Sequence, residues 1–219
     1  MNSDVKHIPC RDWRRTGLWV VGLLLAGLQL AIAKPASAQD PSIRHGETVP
    51  RDVRELYERG LQHLAATQLE AGDWPGYEQG PGTTGMAAMV FLACGEDPNF
   101  GIYSTNIRKG LRSIISSQSG STGFLGSSMY HHGFAMLALA EAYGTVDDRQ
   151  LWAGIQGSEK RSVGEALELA VRCAVASQKR NSAGGWRYSP DGNDADTSVS
   201  GAVLVGLLAA RNAGIEVPD

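Results

Sequence analysis

Two carboxylates, Asp194 and Asp196, stand directly before an uncharged helical run, Thr197–Ala210. A helix starting there sets both side chains near its N-terminus and the interior, where a carboxyl is a candidate for acid–base chemistry. A donor must stay protonated at working pH, which requires burial or a hydrogen-bonded neighbour that raises its pKa. A helix N-terminus pulls the other way and favours the anion. The competing role for Asp196 is an N-cap accepting backbone N–H bonds, with Asp194 in the Asp-Gly-Asn-Asp loop before it. Tyr130, His131 and His132 take the equivalent place at a second uncharged run, Met129–Ala140. One or both imidazoles would face the interior and either hold a carboxylate or pass a proton. Neighbouring residues on a helix point in different directions, so one of the pair falls on the rim. Adjacent histidines alone do not make a zinc site, which needs Cys, His and carboxylate at set spacings. No metal and no other cofactor is expected.

Trp74, beside Pro75 and Tyr77, and Trp186, beside Tyr188, offer rings on which a ligand would stack. The competing role is packing, since buried aromatics mostly close the ends of helical units. The Gly-rich stretches Gly80-Pro81-Gly82 and Gly120–Gly126 do not match a phosphate-binding loop.

These residues hang on a phrase that occurs three times. An amphipathic run ends in Gln (Gln68, Gln118, Gln178). A Gly-aromatic turn follows (Gly72-Asp73-Trp74, Gly123-Phe124, Gly184-Gly185-Trp186), then a charge-poor run (Thr83–Cys94, Met129–Ala140, Thr197–Ala210). The first amphipathic run places Val53, Leu56, Tyr57, Leu61, Leu64 and Ala65 at helical spacing. The second places Ile107, Leu111, Ile114 and Ile115, with Ser104 or Asn106 as cap. The third opens on Ser162-Val163-Gly164-Glu165, a capping-box pattern. Outer amphipathic helices shielding inner uncharged ones, repeated, predict an all-α fold: a partial α/α toroid of about three helical hairpins over residues 50–219. The inner helices are expected to be buried all round. Val146–Arg161 is an extra charged connection, expected to be solvated, with a short helical turn at Leu151, Trp152 and Ile155. Stacked repeats need a polar cap. The chain closes on an uncharged helix and a short tail, as expected of a truncated product or of half of a larger assembly.

Three segments carry a resemblance: Met129-Tyr130-His131-His132-Gly133 with Ala138–Gly144, Gly184–Pro190, and Asp194–Val199. With the Gln…Gly-x-Trp turns, they resemble the QW repeats of squalene-cyclase and protein-prenyltransferase relatives, which fold as α/α toroids. The likeness is greatest to secreted bacterial proteins with prenyltransferase/squalene-oxidase repeats. In class II terpene cyclases a D-x-D-D motif supplies the initiating proton. The resemblance therefore implies Asp196 as donor and Asp194 as its motif neighbour, while Thr197 stands where the motif ends in Asp. Protein prenyltransferases carry an Asp-x-Cys pair that this chain lacks, which argues against zinc and against prenyl transfer to protein. Cys94-Gly95-Glu96-Asp97 is similar to the thioester segment of complement-like toroids, but Asp97 stands where the Gln amide is needed. Gly95 reads better as a left-handed helix terminus with Pro98 beyond it.

The first residues read as an export signal. Lys6, Arg11, Arg14 and Arg15 precede the apolar Thr16–Ala33, and Ala36-Ser37-Ala38 gives a cleavage site. The alternative is a retained membrane anchor. Residues 39–49 form a polar leader. Removing residues 1–38 takes away five basic and two acidic residues, so the formal charge moves from −3 to −6. That argues against nucleic acid and anionic lipid as partners. Cys94 and Cys173 are either buried small hydrophobes or one bridge in an oxidising compartment. Three functions compete. The first is a binding or scaffold module for an isoprenoid or other apolar ligand, completed by self-association or by further repeats. The second is a terpene-cyclase-like enzyme initiated by Asp196. The third is a polysaccharide-lyase-like toroid with Trp74, Trp186, Tyr188 and the His pair along a groove.

Overall fold

Helix α1 (Arg51–Thr67) follows Pro50, whose fixed φ suits a helix entry. The computed structural model describes residues 49–76, 79–156 and 160–218. The export signal, almost all of the leader, Tyr77 and Glu159 lie outside the described residues. After α1 come α2 (Pro81–Leu92), α3 (Ser104–Ser116), α4 (Met129–Ala142), α5 (Asp148–Leu151), α6 (Val163–Arg180) and α7 (Thr197–Asn212). The fold is all-α. Among the described residues the only extended pairing is an isolated bridge between Gln118 and Leu125. No helix among them is long and apolar enough to cross a membrane. All seven helices belong to one unit, Pro50–Asp219.

The charge-poor helices stand side by side, α4 carrying Glu141 and α7 Arg211 near their C-terminal ends. α4 packs against α2 on one flank and α7 on the other. The amphipathic helices lie along them, α1 and α3 against α2, α6 against α4 and α7. Bare main chain sets the spacing. A Cβ at Gly85 would come within 2.7 Å of the Phe134 carbonyl oxygen, and one at Gly133 within 2.6 Å of the Ala202 carbonyl carbon. Between the layers Ile107, Leu111, Ile114, Ile115, Met136, Leu139 and Leu167 are fully buried. Each such side chain contributes roughly 1.5–3 kcal/mol.

Ser162 and Glu165 form the capping box at the start of α6. α3 begins at Ser104 with no side-chain cap, and Asn106 serves elsewhere, donating to Gln68 Oε1 at 2.8 Å. Gly95 is left-handed (φ +85°), just beyond α2. The Val146–Arg161 connection is more tied down than its charge suggests. Leu151 is fully buried, Arg112 donates to its carbonyl at 2.8 Å, and the Trp152 indole donates to the Arg161 carbonyl at 2.8 Å. Cys94 and Cys173 are free thiols. Burial on all sides holds best for α4. α2 exposes Met86, and α7 exposes Leu204, Val205 and Leu208. α4 has a charge-poor neighbour on each flank, whereas among the described residues the outer flank of α7 has no further helix, the tail residues Val217 and Pro218 lying beside Leu208 and Arg211.

Candidate functional site

The three Gln residues are hinges of hydrogen bonding. Gln68 Nε2 donates to the Gly72 carbonyl (2.8 Å) and to the Asn106 carbonyl on the next outer helix (3.0 Å). Gln118 Nε2 repeats this on Gly123 (3.0 Å) and Ala166 (2.8 Å). Gln178 Nε2 donates to Gly184 at 3.1 Å. The three glycines share a left-handed backbone, with φ between 69° and 94°. A Cβ on Gly72 or Gly123 would strike the Lys109 or Leu169 carbonyl of the following outer helix. Two residues after each glycine come Trp74, Leu125 and Trp186, all buried. The middle turn is thus plugged by Leu125, where the sequence suggested Phe124. Each indole donates to the carbonyl four residues before its Gln: Trp74 to Leu64 and Trp186 to Ala174, both at 2.9 Å. The Leu125 side chain has no donor, and the corresponding Ile114 carbonyl accepts from Ser117 Oγ at 2.7 Å. Trp74 and Trp186 are both buried in their turns, and Trp186 borders a small hollow of about 310 Å³ with Leu204, Leu207 and Leu208.

The His pair divides. His132 is fully buried. Its Nδ1 accepts from Leu125 N–H (3.1 Å), so Nε2 carries the proton and donates to the Ala170 carbonyl (3.0 Å). Burial lowers its pKa to about 4. Phe124 stacks on it at 5.6 Å. This imidazole pins the middle turn to α6. His131 is half-buried, and its Nδ1 accepts from Gly82 N–H at 3.2 Å.

His131 opens on a cleft of about 600 Å³ at the N-terminal ends of α2 and α4. Its walls are Gly82, Thr83 and Met86 from α2, Tyr130 and Phe134 from α4, and Tyr188 from the third turn. Tyr130 stacks on Phe134 at 6.1 Å and leans on Tyr188 at 6.4 Å. Met129 N–H donates to the Tyr188 carbonyl at 2.8 Å, which fixes that turn over α4. Tyr188 itself is 51% exposed, and Arg187 lies 5.5 Å from its ring centre. Phe134 and Met86 were missing from the sequence reading. Phe134 was findable, because it lies one helical turn after Tyr130. A second hollow of about 620 Å³ lies between Tyr143, α6 and the C-terminal tail. Its lining mixes Glu168, Arg172 and Lys179 and offers one aromatic ring.

Neither aspartate lines the cleft. Asp196 caps α7, its Oδ1 accepting from Ser198 N–H (2.9 Å) and Val199 N–H (3.1 Å). The Ser198 hydroxyl donates to the same oxygen, and chiefly through that bond the carboxyl is held below the usual range. It is an anion at neutral pH, opposite to what proton donation needs. Asp194 pairs with Arg187 at 3.0 Å on the surface. Among the described residues no group of three or more His, Cys, Asp or Glu is placed to hold a metal. What the site offers is an aromatic surface with one imidazole at its edge and the hydroxyls of Thr83, Ser127 and Ser128 in its lining. Comparison with protein-family models, with curated proteins and with solved structures finds no match for this chain.

Proposed function

We propose that this chain is a binding module rather than a catalyst: part of an α/α toroid, exported by the segment ending near Ala38. Its cleft takes an apolar chain of isoprenoid type. The observation that carries this reading is the lining. Met86, Tyr130, Phe134 and Tyr188 supply apolar area and ring faces, while no carboxylate borders the cleft among the described residues. Aromatic walls with a small set of polar groups, here Thr83, Ser127, Ser128 and His131, suit ligands that bind largely by burial. The one aspartate positioned like a cyclase donor is spent as an ionised cap.

Calorimetric titration with farnesol and a longer polyprenol tests the proposal. Saturable binding is expected, weakened about tenfold by Tyr130→Ala or Phe134→Ala through loss of roughly 1–2 kcal/mol of ring contact. Absence of binding to the unaltered chain would overturn the reading. So would cyclised hydrocarbon from squalene-type polyprenes, which would restore the cyclase, or unsaturated sugars from acidic glycans, which would indicate a lyase.

A further inference from the structure

Each internal junction in this molecule uses the same set of seats, and among the described residues a further set is unoccupied at the α7 edge. In the first two units the Gln amide reaches the carbonyl twelve residues before the next Gln, Asn106 or Ala166. The turn glycine takes the main chain nine residues before the next Gln, at Lys109 or Leu169. A glycine in the inner helix, Gly85 or Gly133, takes the main chain of the next inner helix at Phe134 or Ala202. The third unit has the same three features, Gln178, Gly184 and Gly201. A Cβ on Gly184 or Gly201 would meet nothing within 4 Å. Leu204 is 50% exposed, while the residues at its register in the other inner helices, Ala88 and Met136, are 0% exposed.

The opposite edge carries the matching half. Counted back from Gln68, the twelfth residue is Leu56 and the ninth is Arg59. The register of Phe134 and Ala202 falls on Met86 in α2. Val53, Leu56, Tyr57 and Met86 are exposed, Leu56 at 62%. Gly60, which shares its register with Gly110, has open space before it, whereas Gly110 lies 3.7 Å from Ala88. Arg51 stands as far before Gln68 as Arg161 before Gln178, and Arg161 donates to Gln118 Oε1 at 2.7 Å. Some contacts do not transfer: Leu56 has no side-chain donor where Asn106 reaches Gln68 Oε1, and Arg51 is already paired with Glu55 at 2.7 Å. The Lys109–Glu70 ion pair (2.9 Å) has Arg59 and Arg180 at its register, and Arg180 is already held by Asp191 at 3.1 Å.

We infer that the α7 edge of one molecule receives the α1–α2 edge of a second copy, so that the chain associates head to tail. Leu56 of the incoming copy offers its carbonyl to Gln178, its Arg59 main chain settles on Gly184, and its Met86 main chain on Gly201. Leu204, Val205 and Leu208 are covered by Gly60 and the α1 stripe. Such an interface joins two different surfaces, so it closes into a ring or grows as a filament. The inference does not depend on what the cleft binds.

The test separates head from tail. Leu56→Asp spoils the head and Leu204→Asp the tail. Both residues are exposed in the single chain, so far-UV circular dichroism is expected to be unchanged. Analytical ultracentrifugation of the unaltered protein over a concentration series should show self-association. Each variant alone should be weakened more than about a hundredfold, because a carboxylate would be buried against an apolar surface. An equimolar mixture of the two variants should form a one-to-one dimer that grows no further, since one intact head and one intact tail remain. A monomer at every concentration for the unaltered chain would overturn the inference. So would either variant associating with itself as the parent does, or no association in the mixture.

Discussion

His132 stores a pH dependence in one buried ring. Its pKa in the fold is about 4, against an ordinary histidine value of 6.5 in the unfolded chain. Between those values the unfolded chain binds the proton and the folded chain does not. Stability is therefore full above about pH 6.5, falls as pH drops towards 4, and loses no more to this group below that. The loss amounts to about 3 kcal/mol. Urea unfolding across this window should show the slope. His132→Phe should flatten it relative to the parent and cost about 1–3 kcal/mol at pH 7, because the buried Leu125 N–H loses its acceptor. Equal slopes in the two proteins would contradict the assignment. The sequence pointed to both histidines, and to one of them lying on the rim. Which one was not legible, because that depends on where α6 places the Ala170 carbonyl. The cap at Asp196 was legible, since it needs only a short acceptor before a helix.

At the scale of elements, two chemically identical glutamines should differ in worth. Gln118 is buried, bonds two main-chain carbonyls, and accepts from Arg161. Gln178 is exposed with one such bond. Gln118→Ala should destabilise by about 3 kcal/mol and Gln178→Ala by less than about 1 kcal/mol, read by urea unfolding of dilute protein. Similar costs would mean the glutamines do not act as ties between units. The repeated Gln and the helices around it were visible from spacing alone. The plug of the middle turn was not. From Gln to glycine the turns run four, five and six residues, so counting from Gln assigns Phe124 where the fold sets Leu125. The capping box was readable because both its partners lie within one turn of chain. The exposed flanks of α2 and α7 were not readable as such, because apolar composition reports what a helix can bury and not which neighbours it has.

Across the whole molecule, protection should follow position in the row. α4 lies between α2 and α7 and is buried along most of its length, whereas Leu61 is the one buried residue of α1. Native-state hydrogen exchange of dilute protein should show the amides of α4 among the slowest and those of the first half of α1 among the fastest. Slower exchange in α1 than in α4 would contradict this order. The fold class followed from pattern, because helix periods and uncharged runs are local properties. The cleft did not, because its walls are brought together from positions as distant as Gly82 and Tyr188.

That distance makes the cleft depend on the last turn. Tyr188 belongs to the last turn yet forms one wall against rings from α4, and the Met129 amide holds its carbonyl. Removing the final hairpin would not simply shorten the chain; it would take away one side of the cleft at the same stroke. Changes on the outer faces of α1 and α3 leave that wall standing, because no residue of either helix lines the cleft.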